Sequence, residues 1–457
     1  MTEPTPLAAE KRMNAPEDHA RAVSQALAVK DIGRACAIVL DLHAADAADV
    51  ISQVHEAART KLIEGLRDTL DADVLVELET GIREEVLEQL GHGHIADAVV
   101  RLETDDAIGL LENLDDDVRA QVLDAVPEVE RAHFESGLGY PEDSAGRLMQ
   151  RDFIGIPEFW TVGQAIDFMR DSEDLPEDFY ELFVVDPAQR PVGTLPLNRF
   201  IRTPRDGVIG SIMDRNPHLI PVDMDQEDAA FEFQQYDLMS AGVVGTSGRL
   251  LGVIMIDDIV DVINEEVEED LLRLGGVAET DLARSVLTTT RRRFSWLFVN
   301  LLTAIFASFV IFMFEATIEE IVAVAILMPI VASMAGNAGT QSLTVAVRAL
   351  ATHDLTAANA IRIVFKELLV GFANGVLFAV MVAVVGGVWF DMPELGLVVG
   401  LATLFSMTVG TVAGIVVPLG LNKSGIDPAI ASSVFVTTVT DVAGFFSFLG
   451  LVALLLL

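Results

Sequence analysis

The sequence is poor in cysteine and in basic residues. Cys36 is the only cysteine among 457 residues, so no disulfide forms within the chain, which suits a reducing compartment. Lysine and arginine number 30 against 69 aspartates and glutamates, and the formal net charge is −39. A field of that sign repels phosphate, which argues against nucleic acid as a partner.

Histidine is absent where an intramembrane protease would need it. None of the eight histidines lies in the five apolar stretches described below, and the sequence has no His-Glu-x-x-His motif. Those stretches contain one carboxylate, whereas aspartyl chemistry normally uses two. His92 and His94 lack further metal-binding neighbours and are better interpreted as a polar helix joint than as a metal site. An enzyme is therefore not predicted.

The charge divides the chain near residue 290. Residues 291–457 contain nine acidic and seven basic residues, whereas residues 1–290 contain 60 acidic and 23 basic residues. The nearly neutral part holds five apolar stretches of about 20 residues or more, enough to cross a bilayer core as helices. These predicted spans are 294–314, 321–347, 368–390, 395–422 and 428–457. Residues 291–457 are therefore predicted to form a five-helix transmembrane domain.

The basic residues of this domain all lie on one side of the predicted spans. They are Arg291, Arg292, Arg293, Arg348, Arg362, Lys366 and Lys423. Because positive charge marks the cytoplasmic side, we expect a plasma-membrane protein with cytoplasmic N-terminal domains and an outside C-terminus. An odd number of spans makes a pore most economically on the axis of a homodimer.

Residues 20–140 repeat a short helical unit, behind a tail (1–19) that we expect to be disordered. Apolar runs begin every 9 to 12 residues between positions 74 and 118, with acidic residues at the joints, where they suit helix N-termini. This spacing favours an all-α superhelix of short helices. A plain helical bundle is the alternative.

Residues 141–263 alternate strand-like and helix-like runs and contain an internal duplication. The pattern around Met149 recurs around Met213, and the strand at Gly193 recurs at Gly252. This arrangement resembles a tandem pair of CBS modules, small α/β units that pack together. Residues 264–290 are assigned to a connecting helix and a linker, because an acidic amphipathic run at 262–274 leads towards the first span.

Asp441 is the only ionisable residue within the predicted spans. A charge at mid-bilayer costs about 2.5–3.5 kcal/mol on insertion scales, so a functional role is the default and helix packing the alternative. Oxygen ligands without cysteine or histidine favour a hard cation such as Mg²⁺ or Ca²⁺. Mg²⁺ keeps several of its waters, and a dimer would present two copies of Asp441 to one hydrated ion.

The second predicted span contains an unusually polar run, residues 336–342. Asn337 and Gln341 are four residues apart and share a helix face. We expect Pro329 to break the span and irregular backbone in the polar run to line a pathway. Close helix packing at the small residues is the alternative.

These residues carry a resemblance to a known family. Residues 336–352 look like the second-span signature of MgtE magnesium channels, and residues 440–446 look like their fifth-span ion-binding motif. The order of domains is similar along essentially the whole chain. The resemblance implies a homodimeric, Mg²⁺-selective channel in the lipid bilayer that cytosolic Mg²⁺ closes. It also implies that Asp441 binds the hydrated pore ion and that Asn337 lines the path.

The resemblance further implies a set of acidic residues that sense cytosolic Mg²⁺. They are Asp105, Asp225, Glu227, Asp237, Asp258, Asp261, Glu266, Glu269 and Asp270. Gly109 stands where a further acid is expected. ATP, which some relatives bind, is not expected, because Pro196, Arg199 and Met255 replace residues that CBS pairs use for adenosine phosphates.

Paired carboxylates explain how such a sensor would work. A Mg²⁺ ion between two carboxylates replaces repulsion by attraction and so favours a compact, closed form. Three alternatives remain open: a proton-coupled divalent cation carrier, a Mg²⁺/Co²⁺ transporter of broader selectivity, and a membrane receptor that reads Mg²⁺ without moving it.

Overall fold

The computed structural model describes residues 16–172, 175–176, 178–277, 286–356 and 358–457. The chain divides into two compact units, the first ending at Asn264 and the second running from Glu265 to Leu457. The predicted disordered tail falls mostly outside the described residues, but a helix already begins at Pro16.

The N-terminal part of the first unit is entirely helical where it is described. Acidic residues begin several of the helices, as Asp31 does by accepting a hydrogen bond from the Arg34 amide. Each helix packs mainly against helices one or two places away along the chain, so short apolar stripes share one continuous core. The predicted all-α domain is confirmed. Its helices are α1–α10, namely Pro16–Ala28, Ile32–Leu40, Ala44–Gln53, Glu56–Leu66, Asp73–Glu77, Thr80–Leu90, His92–Val99, Thr104–Glu112, Asp116–Ala125 and Glu128–Leu138.

The predicted duplication is present as two three-stranded sheets with the same topology. In each sheet the first two strands are parallel and the last two antiparallel. A register shift interrupts both sheets at equivalent places, Val184/Val185 and Val243/Val244. The elements are α11 (Ala145–Leu148), β1 (Gly155–Pro157), α12 (Val162–Asp171), β2 (Glu181–Val185), β3 (Pro191–Pro196), α13 (Leu197–Arg202), α14 (Ile209–Ile212), β4 (Leu219–Pro221), α15 (Gln226–Tyr236), β5 (Ser240–Val244) and β6 (Leu250–Met255).

The connecting helix, α16, is one continuous helix over Ile256–Leu274. It starts directly after β6, so the boundary that the sequence suggested near residue 263 falls inside a helix. Ile259 and Val262 on its first turns belong to the core of the second CBS unit. Residues 278–285 of the predicted linker lie outside the described residues.

Five helices of the second unit are long and apolar enough to cross a membrane, as predicted. They are α17 (Val286–Phe312), α19 (Ala323–Ala351), α20 (Ala360–Phe390), α21 (Pro393–Lys423) and α22 (Pro428–Leu455), and a short α18 (Glu315–Glu320) precedes α19. The expected break at Pro329 is wrong, because α19 continues through it. A transmembrane helix tolerates proline where neighbouring helices and local adjustments satisfy the freed backbone groups.

Helix α21 lies at the centre of this bundle and packs against α19, α20 and α22. Glycine makes the close approach possible. A Cβ atom on Gly414 would fall on the carbonyl oxygen of Gly339 in α19, and one on Gly400 would lie 2.8 Å from the carbonyl oxygen of Ala379 in α20. Close backbone contact of this kind is how helices associate in a lipid environment.

Candidate functional site

Asp441 lies near the middle of α22 and is partly buried. Ser433 and Thr437 precede it by eight and four residues and therefore share its helix face. Thr437 is exposed in the single chain and donates its hydroxyl to the carbonyl oxygen of Ser433 at 2.8 Å. The sequence-predicted pore residue is thus partly buried and shares its helix face with the exposed Thr437.

Helix α19 carries a matching polar face. Asn337, Thr340, Gln341 and Thr344 recur at helical spacing, and all four are exposed. The expected irregular backbone is wrong, because residues 336–342 are helical. Backbone carbonyls in this run are engaged in the helix, so side-chain amides and hydroxyls are the groups available to line a path.

The two helices with polar faces pack directly against each other. A Cβ atom on Gly339 of α19 would lie 2.8 Å from Val436 Cγ1 of α22, and one on Gly444 of α22 would lie 3.5 Å from the Cα of Ala332. The structure therefore brings the helices of Asn337 and Asp441 together. Polar side chains at bilayer depth face protein or water, and within this chain Asn337 is exposed and Asp441 is partly buried.

Glu367 is a second acidic residue of the bundle that the sequence placed just before a span. It lies within α20, and its Oε2 accepts a hydrogen bond from the Ser342 hydroxyl of α19 at 3.0 Å. Asp441 therefore remains the only ionisable residue of the fifth span but not of the five helices. The sequence did not place Glu367 within the span, because the adjacent charged residues Lys366 and Glu367 resemble the end of a loop.

The Asp105–Asp258 pair joins the helical domain to the second CBS unit within the first unit. Asp105 is buried in the first turn of α8, and Asp258 lies in the first turn of α16. Their carboxyl groups are hydrogen-bonded to each other, and burial and neighbouring carboxylates raise the pKa of both. Asp105 Oδ1 is buried without a hydrogen-bond partner. Two such groups stay together only by sharing a proton or a cation.

Further acids surround this pair. Burial, followed by the charges of Asp73 and Asp261, raises the pKa of Asp106 to about 6. Sequence reasoning named Asp261 but missed Asp106, although it follows Asp105 directly. Around Gly109, where an acid was expected, a Cβ atom would meet nothing within 4 Å, so the missing side chain leaves open space.

The other expected sensor acids of the second CBS unit lie at the two ends of one helix. Asp225 caps α15 by accepting from the Glu227 amide at 2.9 Å, whereas Asp237 ends the same helix with a left-handed φ of 52°. An 11-residue helix is about 16 Å long, so Asp225 and Asp237 of one chain do not share an ion. Glu227 lies in the first turn of that helix.

The last turns of α16 hold Glu266, Glu269 and Asp270. Burial, followed by the charges of Asp427 and Glu266, raises the pKa of Asp270 to about 6. Glu269 forms an ion pair with Arg273. Across the described ranges of the chain, no three acidic, histidine or cysteine side chains are grouped closely enough to hold a metal ion. An ion at any of these places would need water or a second copy to complete its coordination.

A cleft of about 720 Å³ opens between the two CBS units. Glu181 and Asp214 line it together with His218, and its described lining includes no lysine or arginine. The Ser240 hydroxyl donates to Glu181 Oε1 at 3.1 Å, and burial raises the pKa of Glu181. Arginine and lysine are the side chains that usually bind phosphate groups, whereas the charged groups of this described lining are two carboxylates.

Family models cover most of the chain. A model described as a divalent cation transporter, MgtE, matches residues 328–451, and the MgtE intracellular N domain matches residues 42–143. CBS domain models match residues 145–205 and 209–265. These ranges include Asp441, Asn337, and both members of the Asp105–Asp258 pair.

Similar proteins are transporters by name. The magnesium transporter MgtE of Enterococcus faecalis is 34% identical over 304 residues, covering 66% of this chain and 67% of that protein. The magnesium transporter MgtE of Thermus thermophilus is 33% identical over 330 residues, covering 71% and 73%. A crystal structure of the cytosolic domain of the Mg²⁺ channel MgtE in complex with ATP is 25% identical, with a TM-score of 0.45, and covers 53% of this chain and 99% of that one.

Proposed function

Because this chain belongs to the MgtE family of divalent cation transporters, we propose that it is a Mg²⁺-selective channel closed by cytosolic Mg²⁺. The observation that carries the proposal is Asp441, a lone and partly buried carboxylate on a polar face of the fifth span. A carboxylate at that depth selects for cations, and its cost of burial is offset only by a cation or by water.

In this proposal Asp441 binds the permeating ion through water and Asn337 lines the same path. Mg²⁺ dehydrates reluctantly, so one or two carboxylates acting through its waters suit it better than a dry cage. A homodimer supplies the second carboxylate and covers the polar faces of α19 and α22. The basic residues beside the spans support an orientation with the N-terminal domains in the cytoplasm and the C-terminus outside.

Closure would depend on the acidic pairs of the cytosolic part. Mg²⁺ binding between carboxylates such as Asp105 and Asp258 favours the arrangement in which they lie together, so rising cytosolic Mg²⁺ shifts the population towards it. Glu266, Glu269 and Asp270 would act in the same way near the membrane. Asp225 and Glu227 lie at one end of α15 and Asp237 at the other, so an ion at either end would need ligands from a second copy.

Magnesium uptake by the purified protein in vesicles tests the proposal. We expect Asp441→Asn to reduce uptake at least tenfold, because it removes the charge that attracts the cation. The matched control is Glu320→Gln, which removes an exposed acid from α18 and should leave uptake unchanged. Equal uptake by Asp441→Asn and the wild type would refute the proposed pathway.

The same vesicles separate a channel from a proton-coupled carrier, the second candidate that a lone membrane aspartate supports. Uptake through a channel follows the membrane voltage and ignores an imposed pH gradient, whereas coupled transport responds to that gradient. Raising Mg²⁺ on the side of the cytosolic domains should suppress wild-type uptake.

A further inference from the structure

Arg273 occupies the last turn of α16 among acidic side chains of the second unit. It forms one ion pair with Glu269, one helical turn earlier, and another with Asp427, in the loop before α22. The side chain of Arg273 is 32% exposed, and those of Glu269 and Asp427 are 37% and 30% exposed. These partly shielded pairs form a triad that joins the connecting helix to the start of the fifth span.

Asp427 has two roles in this triad. Its Oδ1 accepts a hydrogen bond from the Ala429 amide at 2.7 Å and so caps α22, while its Oδ2 contacts the Arg273 guanidinium. The carboxylate that fixes the first turn of the helix bearing Asp441 is therefore held by the connecting helix.

Packing supports the same connection. Leu274, next to Arg273, lies against an apolar cluster formed by Leu343 and Val347 of α19 with Ala429 and Val436 of α22. The end of the connecting helix thus contacts both of the spans that carry the polar faces of Asn337 and Asp441.

The guanidinium of Arg273 offsets the negative charge of the acidic side chains around it. Asp270 lies close enough to Asp427 and Glu266 for their charges to raise its pKa to about 6 after burial. Without Arg273, the acidic end of α16 would meet the acidic cap of α22 and repel it.

We propose that Arg273 is a positioning residue whose ion pair with Asp427 transmits movement of the connecting helix to the span that holds Asp441. The proposal rests on the proposed function in one respect, namely that cytosolic Mg²⁺ closes the pathway. Arg273 contacts no permeating ion and acts only through Asp427, so its removal should alter closure and leave the open pathway intact.

Flux measured against Mg²⁺ on the cytosolic-domain side tests this role. We expect Arg273→Gln to keep the maximal uptake within twofold of wild type and to raise the Mg²⁺ concentration for half-closure at least threefold. Arg273→Lys, which keeps the charge, should restore most of the wild-type value. Asp427→Asn keeps a capping oxygen but loses the pair, so it should act like Arg273→Gln, and the double variant should show no further shift.

Arg119→Gln is the matched control, because it breaks an exposed ion pair with Asp116 in the helical domain. An unchanged half-closing concentration in both Arg273→Gln and Asp427→Asn, with uptake intact, would overturn the proposal. If Arg273→Gln misfolds, the half-closing Mg²⁺ concentration of Asp427→Asn alone tests the proposal.

A second readout does not depend on closure. In a Cys36→Ser background, Leu274→Cys places one thiol at the apolar cluster, and the proposal predicts that Arg273→Gln increases its maleimide labelling rate at least threefold. If Mg²⁺ does not close the wild-type channel, the proposed closure is refuted. The labelling rate would still show whether Arg273 holds the end of the connecting helix against the apolar cluster. An unchanged labelling rate would contradict the proposal.

Discussion

Asp105 and Asp258 come from positions 153 residues apart in the sequence and meet as a hydrogen-bonded carboxyl pair. Nothing local identifies such a contact, since each residue alone is an ordinary acid at a helix N-terminus. Family resemblance named both residues, but only the fold shows that one of the pair is buried and that Asp106 stands beside them. Asp441 is the opposite case, because a charge within an apolar run can be recognised from the sequence alone.

The acids around this pair predict a pH dependence in the absence of Mg²⁺. The pKa of Asp106 is raised from 3.8 to about 6, so this group favours the folded arrangement below its ordinary pKa. Its contribution is lost as the pH rises through about 6. We therefore expect limited proteolysis of the full-length protein, in chelator, to become faster between pH 5 and pH 7.5.

Two comparisons check the cause of that effect. Asp106→Asn should flatten the pH dependence of the proteolysis rate, whereas Asp46→Asn, which changes an exposed acid of α3, should leave it as in wild type. Added Mg²⁺ should slow digestion most at the higher pH, where the carboxylates are ionised. A digestion rate that does not change with pH would contradict this account of the acidic pair.

At the scale of elements, periodicity predicted the type of most helices and strands but not their ends. The connecting helix begins at Ile256 rather than near residue 262, because Asp257 and Asp258, which resemble a polar loop, suit a helix N-terminus. Helix α20 extends back to Ala360 through charged residues that resemble a loop. The contact of Glu367 with Ser342 follows from the longer α20. The contact of Arg273 with Asp427 joins residues 154 positions apart, which the sequence alone does not indicate.

The central position of α21 predicts that one of its glycines is intolerant of substitution. A Cβ atom at Gly414 would meet the backbone of α19, which cannot move without displacing the helix. We expect Gly414→Ala to destabilise the bundle by about 1–3 kcal/mol, the usual cost of overpacking, and to lower the thermal midpoint by several degrees in detergent.

Gly420 provides the control on the same helix, since a Cβ atom there meets nothing within 4 Å. Gly420→Ala should leave the thermal midpoint unchanged or raise it slightly, because alanine favours helix more than glycine does. Equal thermal midpoints for Gly414→Ala and Gly420→Ala would contradict the close packing of α19 against α21.

At the scale of the whole molecule, acidic charge and membrane bundle are separated along the chain. Most of the net charge of −39 belongs to residues 1–290. Two carboxylates about 5 Å apart repel by roughly 3 kcal/mol at an effective dielectric constant of about 20, so a few bound cations are enough to change which arrangement is favoured. The membrane part instead contributes one acid in the fifth span, and in the proposed dimer the polar faces of α19 and α22 would be covered by the second copy.

Anomalous diffraction from crystals of the protein grown with Mn²⁺ in place of Mg²⁺ tests whether Asp441 binds the permeating ion. We expect two protomers related by a twofold axis, with a Mn²⁺ peak between the two Asp441 carboxylates and room for a layer of water around it. An Asp441 side chain that faces lipid or a dry helix contact, with no peak beside it, would refute this role.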